Sequence, residues 1–146
     1  MDRRRACLAA AAIWAGGGLL ANYAWEMLQM PLYTGAGQGL GWRRCLLAAL
    51  GDVAILALLY LAMAAVTRSW LWFRPLSLGR AALLVALGAL AAVGVELHAL
   101  AQGRWSYAPA MPRTPPLGVG WVPVLQLTLI PLALAWLSGR WAAPEP

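Results

Sequence analysis

Four long apolar runs leave this chain very few folds to choose from. Residues 6–32, 45–66, 81–101 and 117–137 are each long enough for the ~20 residues that cross a ~30 Å hydrocarbon core. Inside lipid the backbone must satisfy its own hydrogen bonds, and single apolar runs do so as helices. The sequence therefore predicts an all-α polytopic membrane protein. It is expected to be a four-transmembrane-helix bundle in one domain (1–146), with helices at about 6–32, 45–66, 80–102 and 122–138. The balance of 62% apolar and 11% charged residues fits, since soluble domains run nearer half and a quarter. Arg3, Arg4 and Arg5 ahead of the first run resemble a secretory signal. The apolar core is longer than a signal's ~7–15 residues and ends in no small-x-small site, so a retained first span is expected.

Arginine placement orients the bundle. One side carries Arg3, Arg4, Arg5, Arg68, Arg74, Arg80 and Arg140, and the other Arg43, Arg44, Arg104 and Arg113. Seven against four puts both termini in the cytoplasm by the positive-inside rule. Trp70, Trp72, Trp136 and Trp141 are expected at the inner interface, with Trp42, Trp105 and Trp121 at the outer one.

Against that background the acids stand out. Of five, Asp2 and Glu145 lie near the termini, while Glu26, Asp52 and Glu96 fall inside spans. An ionisable group in hydrocarbon is costly and by default marks a functional site. With the expected topology, Glu26, Gln29, Asp52, Glu96, His98, Gln102 and Gln126 all lie roughly 5–15 Å below the outer surface at 1.5 Å per residue. The inner half reads as nearly pure Ala, Leu and Val. Gly18, Asn22, Glu26 and Gln29 recur at i, i+4, i+8 and i+11, one stripe of the first helix. Gly88, Ala92 and Glu96 form a second stripe, with small residues allowing close helix approach. Glu26 and Glu96 are expected to converge. His98, two positions on from Glu96, points to another face with Gln102 and only edges the site. The competing reading is interhelical hydrogen bonding at about 0.6 kcal/mol per pair, and for Asp52 a simple cap or ion pair. Gathering at one depth favours function.

Residues 103–123 (GRWSYAPAMPRTPPLGVGWVP) hold five prolines, two Trp and one Tyr. So apolar and stiff a loop is expected to fold down as an outer cap between helices 3 and 4. Pro131 frees the carbonyl of Leu127 within helix 4.

Several classes fall away. The net charge of +6 comes from Arg alone at helix ends, so no nucleic-acid partner is expected. Without Lys there is no side-chain Schiff base. One His and no Glu-x-x-His spacing argue against a metal site, and no cofactor is expected. Cys7 and Cys45 lie at opposite ends of their helices, which excludes an intramolecular disulfide and quinone-reductase-type dithiol chemistry.

The pattern Trp25-Glu26-x-x-Gln29-x-Pro31-Leu32-Tyr33, Gly51-Asp52, Glu96, Trp105-x-Tyr107, Met111-Pro112, Gly118-x-Gly120, Pro123 and Gln126 resembles a family of small bacterial four-helix integral membrane proteins. That resemblance implies a multi-pass protein of the bacterial inner (cytoplasmic) membrane and brings no activity with it. A remoter likeness is to integral-membrane terpene cyclases and emopamil-binding sterol isomerases, which protonate a carbon–carbon double bond. It implies Glu26 as proton donor. Having only four spans implies that a complete pocket needs a homodimer.

The function expected is a membrane-embedded general acid/base enzyme, of isomerase or cyclase type. Its partners are the lipid bilayer and a lipophilic, isoprenoid or sterol-like small-molecule substrate. Hydrocarbon favours a neutral acid over its carboxylate, leaving Glu26 or Glu96 a proton to give. The candidate catalytic residues are Glu26, Glu96 and Asp52. The candidate substrate-binding residues are Asn22, Trp25, Gln29, His98, Trp105, Tyr107 and Gln126, with Trp25, Trp105 and Tyr107 facing a developing cation. The alternatives are a non-catalytic module that binds or transports a lipid, amine or proton, and a structural subunit of a membrane complex.

Overall fold

The computed structural model describes residues 2–34 and 41–141; Glu145 lies outside them. About 76% of the chain is helical, which makes the fold all-α. Helix α1 spans Arg3–Leu32, α2 Gly41–Thr67, α3 Leu78–Ala101 and α4 Trp121–Trp141. All four are long and apolar enough to cross a membrane, the construction of a multi-pass membrane protein. Two short strands, β1 (Tyr33–Thr34) and β2 (Ser106–Tyr107), pair antiparallel across the ends of α1 and α3.

Each helix end has a local cause, which is why most run past the apolar runs. Asp2 caps α1 by accepting from the Arg5 N–H at 2.8 Å. Ser77 caps α3 through the Arg80 N–H at 3.4 Å. Helix α1 opens into a π-turn at Ile13–Gly17 and tightens to a 3₁₀ turn at Met30–Leu32, where Pro31 cannot continue the ladder. At the end of α2, Ser69 N–H reaches Ala64 O and Arg68 N–H reaches Ala65 O, with Arg68 left-handed at φ 53°. The same double closure ends α3, with Gly103 at φ 64°.

The two ends of the bundle are built differently. Away from the ribbon, the core holds Trp14, Tyr60, Trp72 and Phe73 with Leu56, Met63 and Leu84. Trp14 meets Tyr60 edge-on at 5.1 Å and Trp72 at 5.8 Å, and its Nε1 donates to Ser138 Oγ at 3.2 Å. Sequence reasoning treats this half as aliphatic and Trp72 as an interface anchor. Instead Trp72 is fully buried, because the α2–α3 turn folds inward. Arg80 holds that turn, donating from Nη1 to the carbonyls of Trp72 at 2.8 Å and Pro75 at 2.9 Å.

Helix α1 packs chiefly on α2, and α3 on α4. The second seam is tight at Gly88. A Cβ there would sit 2.0 Å from the Leu127 carbonyl oxygen, the group Pro131 leaves without an i+4 donor. Gly88→Ala is therefore expected to destabilise the bundle by about 1–3 kcal/mol. Gly94→Ala, with nothing within 4 Å of its Cβ, should leave it unchanged or slightly stabilised. Thermal unfolding of both variants in detergent checks the contrast, and equal melting temperatures would refute it.

Candidate functional site

The polar side chains of all four helices gather toward the ribbon end in two groups. The deeper one is organised by Gln126, buried in the second turn of α4. Its Nε2 lies 2.9 Å from Asn22 Oδ1, 3.0 Å from Glu26 Oε1 and 2.8 Å from Asp52 Oδ2. Its Oε1 accepts from Gln29 Nε2 at 3.0 Å, and that same nitrogen donates to Glu26 Oε1 at 2.6 Å. Asn22 Nδ2 donates to the Gly18 carbonyl at 2.8 Å, which leaves its Oδ1 for Gln126. The stripe on α1 thus faces inward as its spacing predicts.

Counting hydrogens decides what this group can do. A primary amide has two, yet three acceptors surround Gln126 Nε2. Flipping the amide only sets a lone-pair oxygen among the same acceptors. Glu26 Oε1 and Asp52 Oδ2 approach the same amide nitrogen, which makes the two carboxyls close neighbours. Two carboxylates at that range repel unless one carries a proton. The arrangement is that of two carboxyls competing for one amide. Gln29 Oε1 is buried without a partner, so acceptors remain in excess. The amide residues are nearly inaccessible, Asn22 at 0%, Gln29 at 4% and Gln126 at 2% exposed, whereas Glu26 and Asp52 are half-buried. The acids sit at the edge of the bundle with their support behind them.

The second group surrounds Glu96. Oε1 accepts from the Tyr33 hydroxyl at 3.3 Å, and Oε2 accepts from Trp105 Nε1 at 3.2 Å and from the Tyr107 hydroxyl. The Gly120 N–H donates to the Tyr107 hydroxyl at 3.0 Å, which commits its proton to Glu96. Tyr33 stands edge-on to Trp105 at 6.1 Å and tilted to Tyr107 at 5.6 Å. Burial, reinforced by the neighbouring carboxylate, pushes the Tyr33 and Tyr107 phenols well above their usual value. Both stay protonated donors at neutral pH. Around them the α3–α4 connection packs down, burying Tyr107, Met111 and Val119. It closes on itself through Thr114 N–H to Val119 O at 2.7 Å and Trp121 N–H to Pro112 O at 2.8 Å.

The structure therefore joins Glu26 to Asp52, and not to Glu96 as their shared depth suggests. Glu96 is occupied by three donors and secures the ribbon and the loop. Asn22, Gln29 and Gln126 lie with the carboxyl pair, and Trp105 and Tyr107 with Glu96. His98 is brought to neither group: 200° round the helix from Glu96, it is exposed, as is Gln102. Trp25 packs against the apolar core, its Nε1 buried without a partner. Tyr33 belongs to the site and was not singled out from the sequence. Its signal was an aromatic hydroxyl two residues past the Pro31 that ends the helix. The chain matches no family model, no curated protein and no solved structure.

Glu96→Gln keeps the shape of the side chain but turns one acceptor into a donor facing donors. Amide exchange across residues 104–121 should quicken by roughly tenfold or more as the loop opens. Hydrogen–deuterium exchange read by mass spectrometry checks this, and unchanged protection would show that Glu96 holds nothing closed.

Proposed function

We propose that this chain is a membrane-embedded general acid/base enzyme, of isomerase or cyclase type, acting on a lipophilic substrate that is isoprenoid or sterol-like. One observation carries the reading: Glu26 and Asp52 converge on the Gln126 amide with too few hydrogens for their acceptors. A pair holding one proton has a donor and an acceptor ready side by side. For an isomerisation, one carboxylic acid adds its proton to a carbon–carbon double bond, leaving a carboxylate and a carbocation. The other carboxylate removes a proton from a neighbouring carbon, and the double bond reforms one position along. Protons balance, and no further reactant is consumed. Asn22, Gln29 and Gln126 hold the pair in register, and Glu96 keeps the loop closed beside it. Both carboxyls are half-buried, which suits a substrate arriving sideways from lipid.

In this reading the protein lies in the bacterial cytoplasmic membrane with both termini inside. The site is in the outer half, below the proline-rich loop. Seven arginines against four support that orientation. The family resemblance stands as part of the proposal, as does a homodimer that would complete the pocket. A non-catalytic proton- or cation-binding module is the second reading, favoured by the unpartnered Gln29 Oε1. Transport is disfavoured by the opposite half of the bundle, where aromatic and aliphatic residues fill the core.

The chemistry leaves an isotopic trace. Membranes containing the chain, incubated in D₂O with the apolar lipid extract of the producing cells, should place deuterium on carbon in at least one lipid. Glu26→Gln and Asp52→Asn should each lower that incorporation by roughly 10²–10⁴-fold. Labelling at the parental rate in both variants would end the enzymatic proposal. Proton flux into liposomes that survives in the parent and is lost in Glu26→Gln would install the second reading.

A further inference from the structure

The end of the bundle away from the ribbon carries a feature that the proton chemistry does not use. A cleft of about 340 Å³ lies between the α2–α3 turn and the last turns of α4, lined on one side by Phe73, Arg74 and Leu76 and on the other by Trp136 and Arg140. Arg74 Nε and Nη2 are buried and have no hydrogen-bond partner. These two atoms form the side-on fork of a guanidinium, the edge that matches two oxygens of a phosphate or carboxylate. An ionised donor left unpaired away from water is expensive. Arg80 is already spent on the Trp72 and Pro75 carbonyls, so the turn that presents Arg74 is held without Arg74's help. Arg140 rests its guanidinium 4.9 Å over the Trp136 ring.

Among the described residues no carboxylate reaches this fork. Asp2 pairs with Arg5 at 3.9 Å. Glu26, Asp52 and Glu96 are all engaged toward the ribbon end. The missing partner is an anion, and the Trp136 wall beside it is exposed on the outside of the bundle. We infer that this cleft binds an anionic phospholipid, the phosphate on the Arg74 fork with Arg140 beside it and the glycerol and acyl carbons along Trp136 and Leu76. The inference rests on the membrane reading alone and not on the catalytic one.

The full chain in neutral detergent is titrated with phosphatidylglycerol or phosphatidylcholine, with bound lipid counted by native mass spectrometry. Phosphatidylglycerol should bind at least about tenfold more tightly. Arg74→Gln should remove that preference. Arg74→Lys, which keeps the charge and loses the fork, should weaken it several-fold. Arg4→Gln, an exposed arginine near the same end, should leave it intact. Equal binding of the two lipids, or equal losses in the Arg4 and Arg74 variants, would reduce the site to diffuse charge and overturn it. Inorganic phosphate that displaces phosphatidylglycerol at low millimolar concentration would assign the fork to free phosphate instead. A chain lacking residues 142–146 that gains tenfold in lipid affinity would assign it to the chain's own terminal carboxylates. The D₂O result is independent of all these outcomes.

Discussion

One amide, that of Gln126, holds the polar half of this bundle together. It bonds to Asn22 and Glu26 on α1, to Asp52 on α2 and to Gln29 back on α1, so three helices meet at a single side chain. In hydrocarbon a polar group has no solvent to fall back on, which makes such a junction an organising constraint. The fourth helix joins through the neighbouring residue. Gly88 of α3 lies against the carbonyl of Leu127, and that contact sets the height and rotation of α4 at Gln126. Pro131 belongs to the same device, since it frees the carbonyl that Gly88 covers. Packing by a small residue and bonding by an amide are thus one piece of geometry read from two sides.

The three intramembrane acids divide into two kinds by their surroundings. Glu96 meets Trp105, Tyr33 and Tyr107, each of which donates, so its two oxygens are supplied with hydrogens. Glu26 and Asp52 meet at one amide with two hydrogens to share. Only the second arrangement has acceptors in excess of hydrogens. It is also the one at the edge of the bundle.

The helix count, the inward stripe on α1, the common depth of the polar groups and the close approach at Gly88 were all legible in the sequence. Each is a matter of spacing along one helix, and spacing is what a sequence records. Which acid faces Glu26 was not legible. Helix α2 is apolar nearly all round, so nothing in its composition marks the side on which Asp52 points inward. Helix α3 does have a marked face, and its small residues made Glu96 look like the natural partner. The burial of Trp72 was illegible for a related reason. Depth places a tryptophan at an interface, but only the path of the α2–α3 turn, pinned by Arg80, decides whether the ring faces lipid or the core.

Charge runs through the molecule in one direction. Every described acid except Asp2 lies toward the ribbon, while seven of the eleven arginines lie at the other end. Five of those seven arginines are exposed, and the acids lie where amide, phenol and indole donors meet them. Toward the basic end the core is built from the rings of Trp14, Tyr60, Trp72 and Phe73. Packed rings therefore stand between the Glu26–Asp52 pair and the arginine-rich end. That separation follows from where the tryptophans are buried as much as from where the carboxyls are.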